Sequence, residues 1–218
     1  VIVAAGLPAR LPGGAAPLGA TLTAFLLAAP WVAFVIARRA AGRAARFGAG
    51  ARGEDALART LRRELDDEWT LYRNLRLPGR RADLDAVLTG PPGVVLLENK
   101  AYRGDFVLFG DDWYRAAGPD GRDLQPWRGS PTAQAARNGE RLAEYLAGCD
   151  PDLAAAPLHA IVVLSSGRVR EARRRPGVPV VPLPELPHYL KRLPRARRPG
   201  REHRAALAAA LDALNDEG

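Results

Sequence analysis

The chain has 218 residues, of which 47% are hydrophobic, and a formal net charge of +8 with a pI near 10.5. This length suits one domain plus an appendage, and a single cysteine, Cys149, excludes an internal disulfide and a cysteine-cluster zinc site. The positive charge favours an anionic partner, either nucleic acid or a lipid surface, although a bias towards arginine codons would give the same excess.

The first predicted element is an apolar helix over residues 15–37, which contain no charged side chain. These 23 residues are enough to cross the hydrocarbon core of a bilayer. Arginine dominates the following basic linker, residues 38–47, whereas residues 1–14 contain only Arg10. The positive-inside rule therefore predicts a single-pass protein of the cell membrane, with the carboxyl-terminal domain in the cytoplasm.

Two alternatives to this membrane anchor stay open. A cleaved signal peptide also has an apolar segment, but its positive charge should precede that segment. The sequence also begins with Val1 rather than methionine, which leaves the true start site open.

Residues 51–67 are predicted to form an amphipathic helix. Its apolar stripe consists of Leu57, Ala58, Leu61 and Leu65. Glu54 lies on the same side as this stripe. Its carboxylate is either a charge partner of the helix amino terminus or a site residue that reaches over a sheet.

A β-hairpin that carries acidic residues is predicted at the centre of the chain. Its strands span roughly residues 81–88 and 94–102, and Gly90-Pro91-Pro92-Gly93 forms the turn. Residues two apart share one face of a strand, which places Asp83 with Asp85 and Glu98 with Lys100.

The second strand of this hairpin begins with four apolar residues, Val94 to Leu97, a run typical of a strand buried on both faces. Glu98 and Lys100 at its end are costly to bury unless they pair or bind a metal. Lys100 and Lys191 are the only lysines in the chain, so Lys100 indicates a need for a compact ammonium.

Further elements follow from apolar alternation and from turn residues. Residues 69–77 and a second hairpin, 106–109 with 113–117, are predicted strands, whereas 124–129 is predicted to be irregular. Two more strands are predicted at 159–165 and 178–183, and a helix at 201–215. The arginines between these two strands (Arg168, Arg170, Arg173, Arg174 and Arg175) are predicted to form a basic loop.

Ser130 and Pro131 predict the start of another helix, because serine is a favourable N-cap and proline suits the first turn. Gln134 and Asn138 lie on its polar stripe, which is usually a solvent-facing surface. Leu142 and Leu146 mark the packed side.

Taken together, these residues resemble the nuclease-related domain (NERD) of the PD-(D/E)xK nuclease superfamily. The resemblance covers roughly residues 48–190. Two positions depart from the family pattern: Ala86 and Ala101 stand where relatives often have histidine and asparagine. The matching blocks are Gly50 to Glu54, Leu84-Asp85, Gly93 to Val95, Glu98 to Gly104, Trp113, and Ser130 to Asn138.

The resemblance implies an α/β fold with a restriction-endonuclease-like core, a mixed central sheet flanked by helices, over residues 48–190. Residues 191–218 would add a basic segment and a carboxyl-terminal helix. It also implies hydrolysis of phosphodiester bonds, with DNA as the expected substrate and Mg²⁺ or Mn²⁺ as the cofactor. No oligomeric state follows from the sequence.

The resemblance further assigns the site residues. Asp83 competes with Asp85 for the strand position. A catalytically weak scaffold of the same fold, bound to nucleic acid or membrane, is the alternative function. The expected catalytic residues are Glu54, Asp85, Glu98, Lys100 and Gln134, and the expected metal ligands are Asp85, Glu98 and the backbone carbonyl of Asn99.

Overall fold

The computed structural model describes residues 16–79, 83–118, 120–196 and 200–216, without the side chains of residues 16–30, 40–47, 49 and 216. The chain divides into two compact units, Val1–Gly48 and Ala49–Gly218. The expected segment 1–14 lies outside the described residues.

The longest element is helix α1, Ala16–Glu64. The helix predicted over 51–67 therefore begins much earlier than expected, and the basic stretch 38–50 is helical as well. Alanine and arginine are strong helix formers, and no proline occurs between Trp31 and Leu77 to end the helix. At its carboxyl end, Lys191 Nζ donates a hydrogen bond to the Glu64 carbonyl at 2.7 Å.

The predicted transmembrane segment, residues 15–37, is helical from Ala16 onward; Ala15 and the side chains of residues 16–30 fall outside the described part. Among the side chains described after these, Trp31, Val32, Phe34 and Ile36 are 51–67% exposed. Within the described residues, none of the helices combines the length and low polarity needed to span a bilayer.

Among the described residues of the second unit, nine strands form two sheets. The first sheet has the order β1-β2-β3-β7-β9, antiparallel between its first three strands and parallel from β3 onward. The second has the order β6-β5-β4-β8, with β8 parallel to β4. The strands are β1 Thr70–Arg76, β2 Asp83–Gly90, β3 Gly93–Lys100, β4 Asp105–Phe109, β5 Asp112–Ala117, β6 Asp123–Pro126, β7 Leu158–Leu164, β8 Arg168–Arg174 and β9 Val180–Pro182.

Three more helices follow α1: α2 Pro131–Cys149, α3 Leu186–Lys191 and α4 Arg201–Asp216. The predicted start of α2 is confirmed, since Ser130 Oγ accepts the Ala133 N–H at 3.2 Å. Short 3₁₀ turns occupy Pro151–Ala155 and Leu183–Glu185.

Helices cover both faces of the first sheet, and β3 contributes to both hydrophobic cores. Val94 and Leu96 pack with apolar side chains of α2 and α4. Val95 and Leu97 pack with side chains of α1 and α3. The run predicted to be buried on both faces is therefore confirmed, and the fold is a mixed α/β structure with sheets flanked by helices.

The second sheet packs through one face only. Phe106, Leu108 and Trp113 form a third core with Val162 and Leu164 of β7. The opposite face is exposed along β8, whereas Val107 of β4, which lies on that face, is 5% exposed.

Two sequence interpretations of the second sheet were wrong. Residues 123–126 form strand β6 where an irregular segment was expected, because their pairing with β5 provides backbone hydrogen bonds. The predicted basic loop is strand β8, whose side chains are too polar to show apolar alternation.

Candidate active site

The candidate site lies where the pairing of β2 with β3 stops. This pairing runs from Gly90 and Gly93 to Ala86 and Leu97 and goes no further. Beyond this last pair, the N–H of Asn99, two residues after Leu97, donates to the carboxylate of Asp85, the residue before Ala86, at 2.8 Å. The Asp85 side chain thus satisfies a backbone donor that the neighbouring strand leaves open.

The other edge of β2 is also interrupted at Asp85. The pairing of β1 with β2 omits Asn74 and Asp85, although the residues on either side are paired in one register. Asn74 has a φ of 55°, in the left-handed region where asparagine is tolerated better than most residues. This local break separates Asp85 from the regular ladder on both sides.

Glu98 is the most deeply buried acid of the site, with 2% of its surface exposed. Its Oε1 atom accepts hydrogen bonds from Lys100 Nζ at 2.6 Å and from Gln134 Nε2 at 2.8 Å. Its Oε2 atom accepts one from Asn138 Nδ2 at 3.1 Å. An ammonium and two amides therefore compensate the burial of this charge.

Asp85 lies close enough to Glu98 for the two acids to affect each other. Burial and the negative charge of Glu98 raise the pKa of Asp85 from 3.8 to about 7. The Asn99 N–H and the Lys100 ammonium oppose this rise, whereas Glu54 adds to it. The site therefore holds two carboxylates whose charges repel in a poorly solvated place.

Burial and the neighbouring Glu98 shift the pKa of Lys100 in opposite directions. Burial lowers the pKa of its ammonium, but the charge and hydrogen bond of Glu98 outweigh this effect, so the pKa is raised above 10.5. Lys100 consequently stays protonated at neutral pH. It can donate hydrogen bonds and neutralise charge, but it cannot act as a general base.

Glu54 approaches Asp85 from α1, on the other face of the sheet from Gln134. Both acids line a small cleft together with Arg73 of β1. Arg73 Nη2 also lies 3.1 Å from Asp55 Oδ1. The cleft thus has one cation in its lining, and that cation is paired with Asp55.

Close contact between α1 and the end of β3 depends on Gly53. A Cβ atom at this position would lie 2.7 Å from Ser165 Oγ and 2.9 Å from Asn99 Nδ2. Gly50, one turn earlier, has nothing within 4 Å of such an atom. Asn99 Oδ1 and Ser165 Oγ are buried and lack a hydrogen-bond partner within the described part of the chain.

Comparison with known protein families gives a match to this chain. The family model of the nuclease-related domain matches residues 49–165, more than half of the chain. The chain belongs to the NERD family. No curated protein and no solved structure matches it significantly.

The structure brings most of the predicted NERD site residues together. Lys100 and Gln134 contact Glu98, and Asp85 is held at the adjacent backbone. Glu54 joins them from α1. Asp83, the competitor of Asp85, instead lies 3.0 Å from Arg76 and is exposed.

Sequence analysis missed two contributors to the site. Asn138 was assigned to a solvent-facing stripe, yet it is 6% exposed and donates to Glu98. Its spacing of four residues from Gln134 was the available signal, since such residues share one helix face. No sequence pattern indicated Arg73, because only the pairing of β1 with β2 places it opposite Ala86, the neighbour of Asp85.

The donor set suits a hard divalent cation with two carboxylates. Asp85 and Glu98 offer oxygen atoms, and their mutual repulsion would be relieved by positive charge. The Asn99 carbonyl lies on the same edge of β3 as its N–H, because both groups of a strand residue point to one side. Within the described residues, no three His, Cys, Asp or Glu side chains are grouped to hold a metal.

Proposed function

We propose that this NERD domain hydrolyses phosphodiester bonds of nucleic acid, with DNA as the substrate. The observation that carries the proposal is the buried contact between Lys100 and Glu98 beside Asp85, whose pKa is raised to about 7. Strongly perturbed acids next to a positioned cation are typical of catalytic sites.

The residues that would hold Mg²⁺ or Mn²⁺ are Asp85, Glu98 and the Asn99 carbonyl. The bound ion would neutralise the scissile phosphate and make a water nucleophilic. Gln134 and Asn138 keep the Glu98 carboxylate in one orientation through their amide hydrogen bonds. Such support around a ligand is usually worth 10- to 100-fold in activity.

Lys100 would supply positive charge to the phosphoryl oxygens as negative charge develops on them. Its protonated state at neutral pH suits this task. Glu54 would extend the acidic wall from α1 on that side of Asp85. Arg73 lines the same narrow cleft and pairs with Asp55, so its role would be to add positive charge beside the acids.

The test is cleavage of single-stranded, duplex and branched DNA and of RNA by the full 218-residue chain. We expect cleavage with Mg²⁺ or Mn²⁺ and none with a chelator. Asp85→Asn should lower the rate at least about a hundredfold, since it removes a proposed ligand. Asp83→Asn, the matched control two residues away, should leave the rate within about twofold because Asp83 contacts Arg76 at the surface.

A catalytically weak, nucleic-acid-binding scaffold is the second candidate. It is favoured by the three hydrogen bonds that already occupy Glu98. It is also favoured because, among the described residues, Glu54 is not grouped with Asp85 and Glu98 closely enough for three acids to hold one metal ion. Nucleic acid bound equally well with and without metal, with no cleavage of any substrate, would support this candidate over a nuclease.

We also propose that residues 15–37 tether the domain to the inner face of the cell membrane. Support comes from the uncharged sequence of this segment and from the exposure of Trp31 and Ile36. The arginines at 38, 39, 43 and 46 favour a cytoplasmic carboxyl-terminal side. Retention in carbonate-washed membranes and protection of the domain from external protease would test this; release by carbonate would contradict it.

A further inference from the structure

The open face of the second sheet contains a groove of about 660 Å³. We call it the outer groove; Leu124 and the largely buried Val107, which is 5% exposed, form its apolar part. Three arginines, Arg122, Arg170 and Arg173, line it together with the acids Asp120 and Glu171. Its volume falls within the range of ligand sites, roughly 300–1,000 Å³. No residue assigned to the candidate active site lines it.

Two irregularities in the pairing of β4 with β8 direct arginines into this groove. Phe106 pairs with Val169 and Val107 with Glu171, so Arg170 is an extra residue on β8. Leu108 pairs with Ala172 and Phe109 with Arg174, so Arg173 is a second one. Bulges change the direction of a side chain and are uncommon between parallel strands. Both extra residues are groove-lining arginines.

The loop opposite β8 makes room for Arg170. Gly121 has a φ of 65°, and a side chain at this position would collide with the Arg170 guanidinium. Arg170 Nη1 donates to the Gly121 carbonyl at 3.4 Å, a long and weak hydrogen bond. Arg170 Nε also lies 3.8 Å from Asp105 Oδ2. Both contacts are long and exposed, so a ligand can compete for this guanidinium.

Aromatic side chains lie beside the apolar surface of the groove. Tyr114 is directly opposite Val107 in the pairing of β4 with β5, and so shares its face. The Tyr114 and Phe109 rings are 5.3 Å apart, and the Arg173 guanidinium lies 5.2 Å from the Phe109 ring centre. Both rings are half-buried. Arginine interleaved with partly exposed aromatic rings is typical of surfaces that bind single strands.

Strand β8 carries four arginines and one acid, Glu171, and Arg175 follows it. Carboxylates of Asp105, Asp120 and Glu171 pair with Arg168, Arg122 and Arg173. These pairs are exposed, and exposed ion pairs contribute little to stability. A phosphate can therefore replace a carboxylate partner at small cost, with bidentate geometry that suits arginine.

The groove begins a short distance beyond the proposed catalytic lysine. The Ser165 N–H donates to the Lys100 carbonyl, and the Arg168 N–H donates to the Gly104 carbonyl. Four residues separate Lys100 from Gly104, which corresponds to at most about 13 Å at strand geometry. Gly104 and Gly167, both with positive φ, bend the two segments and shorten this distance. A strand that leaves the site can reach the groove within a few nucleotides.

We propose that the outer groove binds a single-stranded polynucleotide, with its phosphates on Arg122, Arg170 and Arg173 and its bases on the surface near Val107 and Tyr114. This inference rests on the proposed function, because the groove would bind part of the nucleic acid that the nuclease site cleaves. Unpaired bases are required, because bases in a duplex cannot present their faces to an apolar protein surface.

The test is binding of fluorescent 12-nucleotide single strands and duplexes to the full chain in a chelator, without cleavage. DNA and RNA of one sequence form separate arms. Arg170→Gln with Arg173→Gln should weaken single-strand binding at least tenfold and reduce the salt slope by about 1.4, since each lost phosphate contact removes about 0.7. The matched control is Arg59→Gln with Arg62→Gln, two exposed arginines of α1, with an expected change below twofold.

Two more variants separate charge from stacking and guard against misfolding. Arg170→Lys with Arg173→Lys should keep the salt slope, since lysine still neutralises phosphate. Tyr114→Leu should weaken single-strand binding about tenfold with an unchanged salt slope. The proposal would be overturned if the control pair Arg59→Gln with Arg62→Gln lost as much single-strand affinity as Arg170→Gln with Arg173→Gln. Duplex binding as tight as single-strand binding would overturn it as well.

These outcomes also distinguish the groove from the catalytic proposal. Selective single-strand binding that depends on Arg170 and Arg173, without cleavage under any condition, would support the groove and overturn the nuclease. Metal-dependent cleavage that is unaffected by the paired glutamine variant, in both rate and KM, would support the nuclease and overturn the groove.

Discussion

Asp85 Oδ2 accepts the backbone N–H of Asn99 at 2.8 Å, just beyond the last pair of the β2–β3 ladder, Ala86 with Leu97. The side chain of one strand thus takes the place of a backbone acceptor. The result is a partly buried carboxylate that is fixed in position beside a second, fully buried carboxylate, Glu98.

The free energy of unfolding, measured without divalent cations, should carry a contribution from Asp85 that falls as the pH rises. The pKa of Asp85 is about 7 in the folded chain and near 3.8 otherwise, so the folded state binds more protons between these values. The contribution is fully present below about pH 4 and is lost as the pH rises through 7, with a slope of at most about 1.4 kcal/mol per pH unit.

Asp85→Asn isolates this effect, because asparagine can accept the Asn99 N–H without a charge. The variant should gain stability over the natural chain by an amount that grows from pH 5 to pH 8 and reaches about 2–4 kcal/mol. Urea denaturation in a chelator at both pH values measures it. A gain that does not change with pH would contradict the assignment.

Removal of Lys100 alone should be costly, because it leaves the Glu98 charge buried without its cation. Lys100→Met is expected to lower the free energy of unfolding by about 3–5 kcal/mol. Adding Glu98→Gln should recover most of this loss but not the cleavage activity. A double-mutant cycle in urea measures the coupling, and additive losses would show that the two groups do not interact.

The two glycines of the Gly50-x-x-Gly53 motif should respond in opposite directions to alanine. Gly53→Ala forces α1 away from Asn99 and Ser165 and should destabilise the chain by about 1–3 kcal/mol. Gly50→Ala meets open space and should stabilise the helix by up to about 1 kcal/mol.

Thermal and urea unfolding of these two variants provide the measurement. Cleavage should fall with Gly53→Ala as well, because Glu54 moves with the helix. Equal stability of the two variants would mean that α1 does not approach β3 as closely as described.

Asn138→Ala should leave Glu98 Oε2 without its donor in a buried place. We expect a loss of about 1–3 kcal/mol and a fall in activity of about tenfold or more. Glu140→Ala, an exposed position on the same helix, is the control and should change stability by less than about 0.5 kcal/mol. If Asn138→Ala and Glu140→Ala lowered stability and activity equally, Asn138 would contribute only to the stability of α2 and not to the site.

Local patterns predicted the central hairpin well because its signals are short-range. The Gly-Pro-Pro-Gly turn lies between two apolar strands, and the predicted strand 94–102 corresponds to Gly93–Lys100. The pairing of Glu98 with Lys100 followed from strand periodicity and is confirmed at 2.6 Å.

Strand periodicity could not separate Asp83 from Asp85, since both point the same way in a regular strand. The distinction depends on where the ladder with β3 ends, a property of two chain segments together. The role of Asn138 was missed for a similar reason, because its partner Glu98 is 40 residues away.

Strand β8 shows the limit of apolar periodicity as a signal. Six of its seven residues are polar or alanine, and Val169 alone packs into a core. An exposed edge strand needs no alternating apolar side chains, because backbone pairing with β4 holds it.

The chain has two lysines among its 32 basic residues, and each has a defined partner. Lys100 donates to Glu98 within the candidate site, and Lys191 donates to the last carbonyl of α1. Amine-selective reagents can therefore modify two lysine side chains. Lys100 is protected from the reagent by its contact with Glu98 in the site, and Lys191 by its hydrogen bond to the end of α1. Mass spectrometry of the two adducts would report, from a single sample, on ligand occupancy at Lys100 and on fraying of the α1 terminus at Lys191.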